Sequence, residues 1–224
     1  MAFSWSYSKI KNYETCPKRY YEVDVSKHYR DSTENLDWGN RVHDALAKAI
    51  TGKAVLPAEM KPYRKYIESL RKLAATLPKG GEFLVEQKFA LTKELQPCDW
   101  FGPLTWYRGI GDFVGIAPPK ALILDWKTGR IVVDSKQLML MAQCVFAFHP
   151  DVNEVDSGFV WLKENAITCE TYRRDTIRNE WLGMLPRVQR LADATAKLDF
   201  PPQPNRLCAR HCPVSSCPYH GKRA

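Results

Sequence analysis

The chain has 224 residues, of which 45% are hydrophobic and 12% aromatic, so it can bury one sizeable core and is not disordered. Its formal net charge of +8 favours an anionic partner, and nucleic acid is the leading candidate. No apolar run approaches membrane-spanning length and the N-terminus lacks the apolar core of a signal peptide, so we expect a soluble, cytoplasmic protein that is not secreted. Seven cysteines in that compartment favour metal or cluster ligation, or buried thiols, over disulfides.

The first 25 residues combine aromatic and basic side chains. Ser6 or Ser8 can cap a short helix that runs through Tyr13. Cys16 follows, directly before Pro17, which marks a new turn or helix start. Taken alone, Cys16 is most simply a buried thiol.

Two helices and a strand come next. The first helix is expected from Asp37 to about Ile50, and His43 lies in its first half, where a lone histidine is more often a surface or core residue than a ligand. A second helix is expected over residues 59–77, before a proline and a glycine pair. Residues 83–91 alternate like a strand with Glu86 on its polar face, where solvent is slightly favoured over a functional site.

A β-hairpin is predicted from two apolar runs, residues 110–117 and 121–126, which flank Pro118-Pro119. If the two prolines form the loop, Asp112 lies opposite Asp125, and both carboxylates project from one face. Lys127 points to the same face because side chains alternate along a strand. Trp126 points the other way, with its backbone carbonyl near the carboxylates.

Two facing carboxylates repel each other unless a cation neutralises them. Hard divalent ions such as Mg²⁺ take oxygen ligands of this kind together with water and phosphate, and a neighbouring lysine can orient a water or offset phosphate charge. The alternative is a solvated face with a surface ion pair, which the hairpin alone does not exclude.

The second half of the chain contains three further elements. An amphipathic helix is expected over residues 134–148, with Gln137 near its start, where a polar first turn is the simple reading. Residues 156–163 and 166–173 predict another hairpin, and residues 176–198 predict one long helix that Pro201-Pro202 ends.

Three cysteines lie within ten residues near the C-terminus: Cys208, Cys212 and Cys217. Cysteines packed this tightly beside prolines favour metal or cluster ligation over a place in the core. The fourth ligand would be Cys16, or else His211 or His220, which would favour zinc. Thiolates alone suit either a 4Fe–4S cluster or Zn²⁺, and the spacing does not separate the two.

Together these motifs resemble the RecB-like branch of the PD-(D/E)xK nuclease superfamily, in particular phage-type and CRISPR-associated RecB-like exonucleases and the AddB nuclease domain. The matching motifs are the Gly-x-x-x-His helix (Gly39 to His43), the Gly-Asp strand end (Gly111-Asp112), the Asp-x-Lys-x-Gly strand (Asp125 to Gly129), the Gln-Leu helix start (Gln137-Leu138) and the cysteine set of the iron–sulfur members.

The sequence departs from the family pattern in four places. Gly111 stands where the superfamily name has proline, Asp125 where many members have glutamate, and Met141 where relatives often have tyrosine. The spacing of the C-terminal cysteines also differs from that of most cluster-binding members.

The resemblance implies an α/β fold with a restriction-endonuclease-like αβββαβ core, a mixed central sheet and flanking helices. It implies a single nuclease domain over residues 1–224, in which residues 1–25 and 200–224 form a Cys-bound 4Fe–4S or zinc lobe. The implied Mg²⁺ or Mn²⁺ ligands are His43, Asp112, Asp125 and the Trp126 backbone carbonyl, and the implied catalytic residues are Asp112, Asp125, Lys127 and Gln137. Glu86 remains a weaker candidate, and the implied cluster ligands are Cys16, Cys208, Cys212 and Cys217.

The implied function is that of a divalent-metal-dependent DNA nuclease, most simply an exonuclease. DNA, as single strands or duplex ends, would be its partner, together with a recombination protein or a second copy of the chain. A non-catalytic DNA-binding subunit of a recombination or repair complex is the alternative, although an intact Asp112, Asp125 and Lys127 argue against it.

Overall fold

A five-stranded mixed sheet forms the centre of the protein in a computed structural model that describes residues 3–31 and 33–223. Its strands, in spatial order, are β1 (Glu82–Leu91), β2 (Tyr107–Ala117), β3 (Lys120–Lys127), β4 (Glu154–Trp161) and β5 (Ala166–Arg173). Strands β3 and β4 run parallel, and the other neighbouring pairs are antiparallel. The predicted lobe includes residues 1, 2 and 224, which lie outside the described residues.

Seven α-helices surround this sheet in the described ranges. They are α1 (Tyr7–Thr15), α2 (Pro17–Tyr20), α3 (Glu34–Ile50), α4 (Arg64–Ala75), α5 (Lys136–Phe148), α6 (Ile177–Leu182) and α7 (Leu185–Lys197). The succession of helix, three strands, helix and strand confirms the expected α/β class and is consistent with an αβββαβ core, to which β5 adds an edge strand. None of the described helices has the length and apolarity that crossing a membrane requires.

The helix boundaries differ from the sequence prediction in three places. The helix expected over residues 176–198 is broken at Gly183 and restarts as α7 with Pro186 in its first turn, where a proline is tolerated. The helix expected over 59–77 begins as a 3₁₀ segment around Pro62 before α4. Helix α3 starts earlier than expected because the Thr33 side chain accepts the Leu36 N–H and caps it.

The two faces of the sheet bury different sets of side chains. One face packs against α3 and α4, and its buried residues include Phe113 and Trp126. The other face packs against α5, α6 and α7, with Val114 and Ile123 in its core. Asp112 lies two residues from Val114, and Asp125 two residues from Ile123, so alternation places both aspartates on the α5 side of the sheet.

The β2–β3 hairpin has the predicted register. Ala117 pairs with Lys120 across Pro118-Pro119, and the ladder continues inward to Phe113 and Leu124. The ladder ends at that pair, so Asp112 and Asp125, which the sequence predicted to face each other, lie just beyond it.

Candidate active site

The catalytic candidates meet where β2 and β3 separate. Backbone pairing between β2 and β3 ends at Phe113 and Leu124. Beyond that pair, Asp112 Oδ2, instead of a backbone carbonyl, accepts the Trp126 backbone N–H at 2.8 Å. The Trp126 side chain is buried on the opposite face, as expected. Because the N–H and C=O of one strand residue point to the same side, the Trp126 carbonyl also faces β2. This position agrees with its predicted part in a metal site.

Asp125 is held by two neighbours. Gln137 at the start of α5 donates from Nε2 to Asp125 Oδ1 at 2.6 Å, and its Oε1 accepts a hydrogen bond from Lys127 Nζ at 2.9 Å. Lys127 Nζ also lies 2.6 Å from Asp125 Oδ2, but Oδ2 has no well-aligned donor within the described chain. The amide therefore fixes the carboxylate and the ammonium group relative to each other.

A second group of ligand atoms forms around Asp112. His43 Nδ1 on α3 lies 3.2 Å from Asp112 Oδ1. Glu86 joins this pair, and one ligand atom from each of the three residues lies within 4.8 Å of the other two. Glu86, for which the sequence slightly favours solvent and which is a weaker candidate by resemblance, is exposed and also lies beside His43 and Asp112. Its φ of +52° turns the β1 backbone at this point, a conformation that is costly for a non-glycine residue and is often found at functional sites.

The pKa shifts show a concentration of negative charge. Burial raises the pKa of Asp125 against the attraction of Lys127, and the Asp112 charge adds to the rise. Partial burial and the Asp112 charge raise the pKa of Glu86. For His43, burial favours the neutral ring, but the hydrogen bond to Asp112 and its charge outweigh this effect and raise the pKa. A bound cation would relieve this repulsion.

The donor set fits a hard divalent metal ion. The group of mutually close ligand atoms comprises His43, Glu86 and Asp112, and Asp125 lies outside it. With the neighbouring Asp125 carboxylate and the Trp126 carbonyl, these ligands are mostly oxygens, which Mg²⁺ and Mn²⁺ prefer. The buried Asp125 Oδ2 is paired with Lys127 Nζ at 2.6 Å, and its second lone pair is available to a metal ion. Lys127 has no lone pair to offer while it is charged, so it lies beside the site rather than among the ligands.

Two glycines of β2 allow α5 to approach the site, a feature that the sequence analysis missed. A Cβ atom at Gly109 would lie 2.8 Å from Met141 Sδ, and one at Gly111 would lie 2.8 Å from Val114 Cγ2 and 3.3 Å from Met141 Cε. Met141, the residue that departs from the family tyrosine, thus packs its side-chain end against both glycines, and a larger residue at either position would require that end to shift. The two glycines just before Asp112 are the feature of the sequence that could have indicated this close packing, because glycine within a strand often marks a close approach.

The four predicted cluster ligands share one small pocket between the two ends of the chain. They are Cys16, Cys208, Cys212 and Cys217, and the pocket lining also includes His220. Backbone N–H groups of Gln203 and Asn205 donate to Cys16 Sγ and Cys208 Sγ, each at 3.4 Å. The Asn205 side chain donates to the Thr15 carbonyl at 2.8 Å, which ties the C-terminal segment to α1.

Among the solved structures that resemble the chain are the following two. The protein SSO0001 is 14% identical, with coverage of 97% of this chain and 87% of that one and a TM-score of 0.42. A provisionally named exonuclease from Eubacterium rectale is also 14% identical, with coverage of 92% of this chain and 85% of that one and a TM-score of 0.50. At this identity the second likeness concerns the fold alone. No curated protein matches the sequence.

A family comparison covers nearly the whole chain. The PD-(D/E)XK nuclease superfamily matches residues 4–218, a range that includes His43, Asp112, Asp125, Lys127 and Gln137. This range also contains the hairpin from which the two aspartates project. The chain therefore belongs to the PD-(D/E)XK nuclease superfamily.

Proposed function

We propose that the protein is a divalent-metal-dependent DNA nuclease of the RecB-like branch that degrades DNA from an end. The observation that carries the proposal is the convergence of Asp112, Asp125 and Lys127 at the end of the β2–β3 ladder. Membership of a nuclease superfamily supports hydrolysis of a nucleic-acid backbone, and the net charge of +8 supports a polyanionic substrate.

In this proposal, Mg²⁺ or Mn²⁺ is bound by five groups: the side chains of His43, Glu86, Asp112 and Asp125 and the Trp126 backbone carbonyl. Such an ion, when bound, supplies Lewis-acid chemistry that acidifies water and offsets charge on the scissile phosphate. Lys127 orients the attacking water or stabilises charge on the phosphate from beside the ligands. Gln137 is a positioning residue, since it holds Lys127 and Asp125 together.

Exonuclease action is supported by the resemblance to RecB-like exonucleases, and the provisional name of the Eubacterium rectale protein agrees with it. The test compares linear and circular single-stranded DNA of the same sequence with Mn²⁺, with Mg²⁺ and with a chelator. We expect linear DNA to yield short products with either metal, and circular DNA to stay intact. Cleavage of circles at a comparable rate would show endonuclease action, and cleavage in the chelator would contradict metal dependence.

The alternative is a non-catalytic DNA-binding subunit that keeps the fold. It predicts DNA binding without hydrolysis under all metal conditions. The hydrogen-bonded arrangement of Lys127, Gln137 and Asp125 favours turnover, because a binding subunit has no need of an oriented ammonium group beside a carboxylate.

We further propose that the cysteine pocket holds a 4Fe–4S cluster, with Zn²⁺ as the alternative. Four thiols line this one pocket, and two of them accept backbone N–H groups, which supports a thiolate-bound centre. The resemblance to the iron–sulfur members of the RecB-like branch favours the cluster over zinc.

Iron and zinc analysis of anaerobically purified protein tests this centre. We expect about four iron atoms per chain, visible absorbance, and loss of both in Cys208→Ser. The matched control is Cys169→Ser, because Cys169 is exposed on β5 and outside the pocket. About one zinc per chain without iron would replace the cluster by a zinc site, and normal metal content in Cys208→Ser would remove Cys208 from the ligands.

A further inference from the structure

A groove lies next to the catalytic residues, and Gln137 is part of its lining. The other lining residues have no part in the proposed chemistry. Its walls come from three parts of the chain: the first turn of α1, the first residues of β2, and the connection between β1 and β2. Trp100 enters from the connection, and Met141 from α5 completes the lining beside Gln137.

The charge of this groove is unbalanced. Lys9 and Arg108 line it, and none of its lining residues in the described chain is a carboxylate. Among the described residues neither cation forms an ion pair at salt-bridge distance, although the Asp24 charge acts on Lys9 and partly offsets the fall in its pKa. Arg108 Nε is buried and has no hydrogen-bond partner among the described residues. Burial lowers the pKa of Lys9 and the Arg108 charge adds to the fall, while Lys9 Nζ donates to the Ser4 carbonyl at 2.9 Å. An anionic group bound in the groove would relieve the repulsion between the two cations.

Two aromatic rings lie next to these cations. Trp100 lines the groove, and Phe101, just outside the lining, is 83% exposed with its ring centroid 6.4 Å from that of Trp100. The Arg108 guanidinium lies 5.6 Å from the Trp100 ring centroid and 5.2 Å from that of Phe101, and Lys88 Nζ lies 5.5 Å from Trp100. Adjacent rings and cations at the mouth of a positive groove are the elements that unpaired nucleotides require: faces for stacking bases and charges for phosphates.

We propose that Trp100 and Phe101, with Lys9 and Arg108, form a binding platform for single-stranded nucleic acid that leads a strand to the catalytic residues. Duplex DNA does not satisfy this surface, because paired bases are stacked inside the helix and do not present their faces to side chains. The inference deepens the proposed function by naming an unpaired strand as the substrate class, and its role in cleavage rests on that proposed function.

Binding is measured by fluorescence anisotropy of labelled oligothymidylate in a chelator, so that hydrolysis does not interfere. The variant carries Trp100→Ala and Phe101→Ala, and we expect its dissociation constant to rise about 10-fold or more, since each stacked base contributes about 1–3 kcal/mol. Binding of a blunt duplex should change little. The matched control is Leu104→Ala, because Leu104 is an apolar side chain that is 70% exposed in the same connection but has no ring on which a base can stack.

An abasic oligonucleotide of equal length separates stacking from folding defects. Wild-type protein should bind the abasic strand more weakly than oligothymidylate, whereas the double variant should bind both alike. Arg108→Gln should weaken binding of both strands and reduce the salt dependence of affinity. The proposal is overturned if the double variant binds oligothymidylate like the wild type, or if it keeps the preference for bases over abasic sites.

The two proposals fail in distinguishable ways. Base-dependent binding by a wild-type protein that cleaves no DNA with Mn²⁺ would refute the proposed nuclease function and support the platform. Metal-dependent cleavage together with unaltered strand binding by the double variant would refute the platform and leave the nuclease function standing.

Discussion

Asp112 Oδ2 accepts the Trp126 backbone N–H at 2.8 Å, while Asp112 Oδ1 lies 3.2 Å from His43 Nδ1. The Asp112 carboxylate thus makes the last contact between β2 and β3 and also contacts the His43 side chain of α3. Because the main chain fixes one oxygen, the other is oriented before any substrate arrives. The same contact that closes the sheet therefore shapes the candidate metal site.

Replacing Asp112 by asparagine separates charge from structure. The amide oxygen of Asp112→Asn can still accept the Trp126 N–H, so the melting temperature should stay close to that of the wild type. Loss of the negative charge removes a metal ligand, and we expect metal-dependent cleavage to fall about 100-fold or more. A folded Asp112→Asn protein with more than one tenth of wild-type activity would contradict this role.

Gln137→Ala tests positioning of the reacting groups. The substitution removes the hydrogen bonds to Asp125 Oδ1 and Lys127 Nζ without touching the metal ligands of α3. We expect kcat to fall about 10- to 100-fold with KM for DNA nearly unchanged, because misplaced catalytic groups affect the transition state more than binding. Steady-state kinetics measures this, and a change confined to KM would instead place Gln137 in substrate binding.

Glu86→Gln tests whether the residue at φ +52° belongs to the metal site. We expect Mn²⁺ affinity, measured by calorimetric titration, to weaken about 10-fold or more, since even an outer partner of a metal ligand contributes that much. Glu82→Gln is the control, because Glu82 is exposed at the start of the same strand. Equal Mn²⁺ affinity in both variants would exclude Glu86 from the site.

The lowered pKa of Asp134 predicts that its contribution to the stability of the fold depends on pH. Burial alone would raise its pKa, but hydrogen bonds from Tyr7, the Lys136 N–H and Lys11 outweigh that effect and hold the pKa below its usual value. A depressed folded-state pKa stabilises the protein above the unfolded value of about 4 and loses that stability as pH falls below it.

We therefore expect Asp134→Asn to be less stable than wild type by about 1 kcal/mol at pH 7, with the difference shrinking toward pH 3. Denaturant unfolding at the two pH values measures it. A difference that is equal at both values would show that the carboxylate charge contributes nothing.

The hairpin and its acids were predictable because their signals are local. Pro118-Pro119 permits few loops, and strand alternation then places Asp112, Asp125 and Lys127 on one face. Periodicity likewise indicated α3 and α5, although the break at Gly183 was missed because the apolar pattern continues across it.

The rest of the site depends on contacts between distant segments. His43 meets Asp112 across 69 positions of the chain, and only the family resemblance pointed to it. Glu86 reaches the site because its own φ is positive, and the alternation of apolar and polar residues along a strand does not predict such a conformation. The fit of Met141 against Gly109 and Gly111 likewise requires the packed helix.

The central claim is metal-dependent hydrolysis at Asp125, and an end-labelled linear oligonucleotide incubated with Mn²⁺ tests it most directly. Wild-type protein should shorten the strand with Mn²⁺ and not in a chelator, whereas folded Asp125→Asn should leave it intact under both conditions. Asp125→Asn that degrades the strand at the wild-type rate would contradict the assignment, as would a wild-type protein that binds the strand and never cleaves it.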